Sequence, residues 1–203
     1  MNKFFFLSQI IVFCLFTYAT GFPQDLKSLR ESSRNFQSIK ADFVQKRTLP
    51  ILTKPLFSEG RFFFNTSGSL RWEYFSPLRN VMLQKGDSIK FYYFSEGIWK
   101  PELIQAVESR RMVLAEISRW FQGHFDESKA FKHPTFSGHP VRIVLTPVEG
   151  IDKFIQRIEV VLSTRPGVID RVEIEEPGGS RTSIEFKKVE INSKIPSELF
   201  EKP

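Results

Sequence analysis

His124, His133 and His139 are the three histidines of the chain. They sit among Gly and Pro at spacings that match no zinc template. The single cysteine, Cys14, excludes a thiolate metal site and a disulfide framework. Glu173, Glu175 and Glu176 cluster near the end of a strand-like run. A hydrolase working with paired carboxylates needs two acids facing one cleft. Alternation puts Glu173 and Glu175 on one strand face, read as the solvated one. No glycine-rich phosphate loop and no G-x-S-x-G nucleophile turn occurs. Basic and aromatic residues interleave at Arg61 to Phe64, Arg71-Trp72 and Lys90 to Tyr93. On a sheet surface that pattern stacks single-stranded bases. The charge balance of 29 Lys+Arg against 23 Asp+Glu is too mild to favour nucleic acid, and the N-terminus points elsewhere.

Met1-Asn2-Lys3 is a short basic start, and Phe4 to Phe16 is apolar apart from Ser8 and Gln9. Thr17 to Gly21 is small and polar apart from Tyr18. This is the layout of a secretory signal with Ala19 and Gly21 at its cleavage site, and the run is shorter than the roughly 20 residues of a spanning helix. We therefore expect residues 1–21 to be a signal peptide cleaved near Gly21, and residues 22–203 to form a single domain. Phe13 before Cys14 does not fit a lipoprotein signal, so the mature protein is expected to be thiol-free, unlipidated and periplasmic.

The remaining chain supplies the elements. Leu26, Leu29, Phe36 and Ile39 fall on one face of a helix over Gln24–Ile39, with Ser33 weakening the stripe. Ala41–Thr48 is a strand with Phe43, Gln45 and Arg47 on one side. Pro50 and Pro55 bound a loop. Phe57–Asn65, Leu70–Tyr74, Asn80–Gln84 and Ser88–Ser95 are strands, the last two joined through Lys85-Gly86-Asp87. Both faces of Ser88–Ser95 are partly aromatic, unusual for a sheet with one wet side. Glu102–Gly123 has helical period through Leu103, Val107, Leu114, Ile117 and Phe121, and a short helix over Glu127–Phe131 is expected after it. Strands return over Val141–Thr146, Phe154–Ser163, Val168–Glu176 and Arg181–Ile191.

Helix, strands, helices, strands is the order of an α+β fold: a curved, mostly antiparallel sheet with helices over one face. A hydrophobic share of 41% with 26% charged residues is globular. The 22 Phe, mostly outside the signal, leave two readings open. One is a well-filled core. The other is a sheet curved around an apolar cavity, where a few polar groups suffice because an acyl chain offers nothing to hydrogen-bond.

Several ordered pieces resemble the LolA outer-membrane lipoprotein carrier family. Phe36 to Gln45 is similar to its helix-to-first-strand junction, and Gly60 to Phe64 with Leu70 to Tyr74 and Ser76-Pro77 to its next two strands. Gly86 to Tyr92 resembles its following hairpin and Val144 to Pro147 a later strand. Gly178 to Phe186, Val189 and the N-x-x-I-P-x-x-x-F run from Asn192 to Phe200 resemble its closing segment. The resemblance implies an unclosed β-barrel under a helical lid, with no catalysis and no cofactor or metal. It implies a monomer that carries acylated lipoproteins from an inner-membrane ABC transporter to an outer-membrane acceptor.

On that reading Phe43, Phe62, Phe64, Leu70, Trp72, Tyr74, Ile89, Phe91 and Tyr93 are the expected lining of the lipid cavity. A charge at Phe91 or Trp72 is expected to abolish binding and leave the fold intact. Where the family has an Arg that holds the lid, this sequence has Thr66, and neither Arg61 nor Arg71 can be assigned that role from sequence. An exported hydrolase using Glu173 or Glu175, and an envelope-stress sensor of similar fold, stand as alternatives.

Overall fold

The structure is a computed structural model describing residues 26–86, 88–102, 113 and 116–203. The expected signal peptide, Asp87 and the Leu103, Val107 and Leu114 positions of the expected second helix lie outside the described residues. The helix α1 spans Leu26–Ser33. Eleven strands follow among the described residues: β1 (Ser38–Thr48), β2 (Leu56–Asn65), β3 (Ser69–Ser76), β4 (Asn80–Lys85), β5 (Ser88–Ser95), β6 (Ile98–Pro101), β7 (Thr135–Ser137), β8 (Arg142–Leu145), β9 (Arg157–Leu162), β10 (Ile169–Glu175) and β11 (Arg181–Ile191). Residues 116–120 are helical.

The strands form one open sheet in the order β6-β5-β4-β3-β2-β1-β11-β10-β9-β8-β7. Each half is a meander, and the halves meet where β1 pairs antiparallel with β11. Register shifts interrupt the ladders at Lys40/Asp42, Glu59/Gly60 and Ile169/Arg171. Such bulges bend a strand and increase its twist, which lets a wide sheet coil. The inward residues of both halves fall in one buried cluster, from Phe43, Phe62 and Trp72 to Ile143, Ile158 and Val172.

The helix expected to reach Ile39 stops at Ser33. Ile39 is instead a strand residue, paired with Phe64 on one side and Ile191 on the other. Those two partners give it a ladder on both sides and leave it 1% exposed. The expected helix over Glu127–Phe131 is also replaced: Phe131 forms an isolated bridge with Pro147. The strand expected from Phe154 begins at Arg157, because residues 151–154 turn, with Phe154 N–H donating to the Ile151 carbonyl. The short edge strands β6 and β7 carried no clear period in the sequence.

Helical cover comes from α1 and residues 116–120. Gly123 ends the second segment at φ 78°, and a side chain there would press on the backbone of Leu29 and Arg30. That close approach requires glycine. Arg30 then donates to Asp126 at 2.7 Å across the same contact. Ile117, Trp120 and Phe121 of the second segment are buried against the sheet.

The aromatic outer face has its own cover. Arg71 pairs in register with Phe63 and Leu83 on that face, and all three are buried. The single-turn helix Ser197–Phe200 packs on β3 and β4 and buries Phe200. Asn192 leads the chain there at φ 59°, accepting from Gln37 N–H and donating to the Asn35 carbonyl. The Asn of the closing sequence run thus holds it to the segment between α1 and β1, and the Phe lies in the turn that packs on β3 and β4.

Candidate functional site

Cross-strand pairing decides which face each candidate presents. Phe43 faces Gly60, which faces Tyr74; Phe62 faces Trp72, which faces Met82; Met82 faces Phe91. Phe64 with Leu70, Gln84 with Ile89, and Asn80 with Tyr93 complete the set. Directly opposed residues share a face, so all nine expected lining residues point to the inner side.

They do not all face open space. Phe43 and Trp72 pack with tilted rings, centroids 4.4 Å apart, and Phe62 lies 4.9 Å from Phe121 and 6.0 Å from Phe186. Phe43, Phe62, Phe64, Leu70 and Trp72 are each no more than 1% exposed. The middle of the inner face is therefore a packed aromatic core. Tyr93 is 41% exposed, and Ile89 packs at the edge of the core.

The open space lies at one end of the sheet. A cavity of about 650 Å³ is walled by Tyr74, Val113, Ile155, Ile174 and Ile184, with Leu56, Phe57, Leu78 and Phe154 also lining it. These last four are 47–75% exposed and form an apolar rim. Of the nine expected residues, Tyr74 alone lines this cavity among the described residues.

A polar strip runs down one wall. The inner face of β1 changes character along its length, from Phe43 to Gln45 to Arg47. Gln45 Oε1 accepts from the Tyr74 hydroxyl at 2.7 Å, and Arg47 Nη2 donates to Glu176 Oε2 at 2.8 Å. Arg47 Nε is buried and makes no hydrogen bond. Thr182 and Ser58, cross-strand neighbours of Arg47 and Gln45, extend the strip. Sequence reasoning missed the rim and this strip. Their available signal was the apolar-to-polar switch on β1 beside a loop bounded by two prolines.

Thr66 lies in the β2–β3 turn, its N–H donating to the Gln37 carbonyl, and lines a separate cavity of about 440 Å³ beside Lys27, Arg34 and Gln122. Arg61 is on the outer face, 3.5 Å from Asp42. Arg71 donates to Glu73 and to the Leu199 and Lys202 carbonyls. Among the described residues neither arginine bonds to α1 or to residues 116–120, as a lid-holding residue would.

Glu173 and Glu175 alternate with the buried Val172 and Ile174, so they lie on the outer face, paired with Arg171 and Arg181. Glu176 is the one carboxylate among the described residues lining the larger cavity. His124 Nδ1 is 3.3 Å from Glu127. No group of three potential metal ligands occurs among the described residues. Glu116, in the second helical segment, is buried. Burial pushes its carboxyl above the usual range, against the opposing pull of Arg119. No helix among the described residues is long and apolar enough to cross a membrane.

The sequence pattern of outer membrane lipoprotein carrier protein LolA matches residues 34–202. The chain is 26% identical to an outer-membrane lipoprotein carrier protein of Nitrosospira multiformis, over 98% of this chain and 92% of the relative. It is 22% identical to the carrier protein of Pseudoalteromonas translucida, over 89% and 84%. Among solved structures it is similar to a DUF1329 family protein from Desulfovibrio piger, with a TM-score of 0.50 at 9% identity, covering 87% of this chain and 95% of that one.

Proposed function

The chain belongs to the LolA family of outer membrane lipoprotein carriers, and on that premise we propose that it is a periplasmic carrier that holds the acyl chains of lipoproteins in its end cavity. The observation that carries this is the cavity of about 650 Å³ whose walls are apolar apart from one polar strip, with an exposed apolar rim. Small-molecule and lipid-tail sites occupy roughly 300–1,000 Å³. Each methylene removed from water contributes about 0.8 kcal/mol, so a partly enclosed tail is held without covalent chemistry. The protein binds and releases rather than catalyses.

The finer reading moves the lipid toward the rim. The packed core of Phe43, Phe62, Phe64, Leu70 and Trp72 closes the middle of the inner face, and the tail lies beyond it. Tyr74 and the Ile155, Ile174 and Ile184 side chains make the wall, and Ile89, Phe91 and Tyr93 border the next part of the inner face. Cargo comes from an inner-membrane ABC transporter and passes to an outer-membrane acceptor, as the family resemblance implies. A hydrolase using Glu173 or Glu175 has no support, because both acids face away from the cavity.

The test is mass spectrometry of the exported protein purified without detergent. Lipid or acylated lipoprotein leaving with it under denaturing extraction is the expected result. Protein that emerges free of acyl chains, and takes none up from lipoprotein-bearing membranes, overturns the reading.

A further inference from the structure

The polar strip on the cavity wall has a donor to spare and no net charge. β1 places Gln45 and Arg47 on the inner face, in register with Ile184 and Thr182 of β11. The Tyr74 hydroxyl occupies Gln45 Oε1, which leaves the amide nitrogen as that side chain's donor end. Arg47 gives Nη2 to Glu176, while its Nε is buried with no acceptor. The Arg47 side chain is 38% exposed, so its outer guanidinium N–H groups and the Gln45 amide, rather than the enclosed Nε, are the donors that a ligand carbonyl in the cavity meets.

Charge then selects the ligand. Arg47 and Glu176 are the only charged residues among the described residues lining the cavity, and they neutralise each other. A free carboxylate entering this wall loses its hydration and meets a cation already compensated by Glu176. It also sits beside a like charge. An ester or amide carbonyl needs only the donors, and neutral hydrogen-bonding groups lose far less on leaving water than an ion does.

Resting on the carrier reading, we propose that the Arg47–Glu176 pair makes this cavity selective for acyl chains with an uncharged carbonyl head, ester or amide, over free fatty acids, with Arg47 donating to that carbonyl. Ester- and amide-linked tails are how acyl groups are carried on a lipidated polypeptide, whereas a free fatty acid is a breakdown product. The pair therefore separates cargo from debris.

The experiment is displacement of a bound fluorescent acyl probe by three palmitoyl compounds: monopalmitoylglycerol, N-palmitoylethanolamine and palmitate, at a pH of about 8, where palmitate is ionised. The ester and the amide are expected to displace the probe at concentrations about tenfold below palmitate, the size of one hydrogen bond to a charged donor. Arg47→Met is expected to remove that preference and leave palmitate displacement little changed. Glu176→Gln leaves Arg47 uncompensated and is expected to shift the preference toward palmitate. Circular dichroism checks that both variants are folded. Should Arg47→Met fail to fold, Glu176→Gln alone decides. Equal displacement by all three compounds, or a preference unmoved by the folded variants, overturns this inference while the carrier reading stands. Failure of all three compounds to displace the probe overturns both.

Discussion

Phe43 lies across the β1–β2 ladder from Gly60, and its ring occupies the space where a side chain at Gly60 would stand. A methyl group at Gly60 would overlap both that ring and the Glu73 carbonyl oxygen. The ring is held from the other side by Trp72 at 4.4 Å and Tyr74 at 5.1 Å. Gly60 is also where the β2–β3 register shifts, so one small residue sets both the bend of the sheet and the seat of the aromatic core.

Gly60→Ala is accordingly expected to destabilise. In an open strand the exchange favours Ala by roughly 0.5–1 kcal/mol. Here overpacking against Phe43 costs about 1–3 kcal/mol and wins. Urea denaturation is the measurement, and a variant as stable as the parent would mean that both the Phe43 ring and the Glu73 peptide can move aside.

Arg71 is expected to anchor the end of the chain. Its side chain is 7% exposed, pairs with Glu73 at 2.9 Å and donates to two carbonyls of the C-terminal segment. Arg71→Met leaves Glu73 and both carbonyls without that donor. Removing one partner of a buried pair costs about 3–5 kcal/mol when burial is complete, and the partly exposed Glu73 brings the expected loss to about 2–4 kcal/mol. Limited proteolysis should also release residues after Ile191 sooner. Unchanged stability with an unchanged cleavage pattern would show the contact to be incidental.

Glu116 gives a pH dependence whose sign follows from its surroundings. Burial raises its pKa above the ordinary 4.5, with Arg119 opposing. The folded state therefore holds this proton more tightly than the unfolded chain does. The group's contribution is a constant penalty above the raised value, and the penalty is relieved as pH falls toward 4.5. Glu116→Gln should be more stable than the parent at neutral pH, with the two converging in acid. Denaturation curves across that range check it, and a variant weaker than the parent at neutral pH would show the Arg119 and Ser128 contacts to outweigh burial.

Much of the inner face was legible in the sequence because strand periodicity is local. Leu70, Trp72 and Tyr74 alternate with charged or outward residues, and the structure puts them on one side. Three features were not local. The pairing of Phe43 with Phe186 joins strands from opposite ends of the chain, and no short window contains both. Ile39 fitted a helical stripe until Phe64 and Ile191 gave it strand partners. The position of the cavity depended on which rings stack and which leave room. Phe62 against Phe121 closes the middle, while Tyr74 and Ile184 stay open at the end. A list of aromatics on one face does not contain that distinction.

The same distinction separates core from rim in a final pair of variants. Trp72 is 1% exposed and Phe62 fully enclosed, so Trp72→Asp would bury an unpaired carboxylate and unfold the protein instead of testing binding. Phe62→Ala is expected to cost about 3–5 kcal/mol. Leu78 at 75% exposure and Phe57 at 57% are different. Neither belongs to the buried core cluster among the described residues, so Leu78→Ser and Phe57→Ser should change stability by no more than about 0.5 kcal/mol. Both residues line the cavity mouth, and losing their apolar surface should weaken an acyl probe by about 1–2 kcal/mol, roughly tenfold. Thermal unfolding and probe titration on the same samples read the two effects apart. Rim variants that bind as the parent does, with probe affinity falling only in destabilised core variants, would return the lipid to the middle of the sheet, where Trp72 and Phe62 would have to part to admit it.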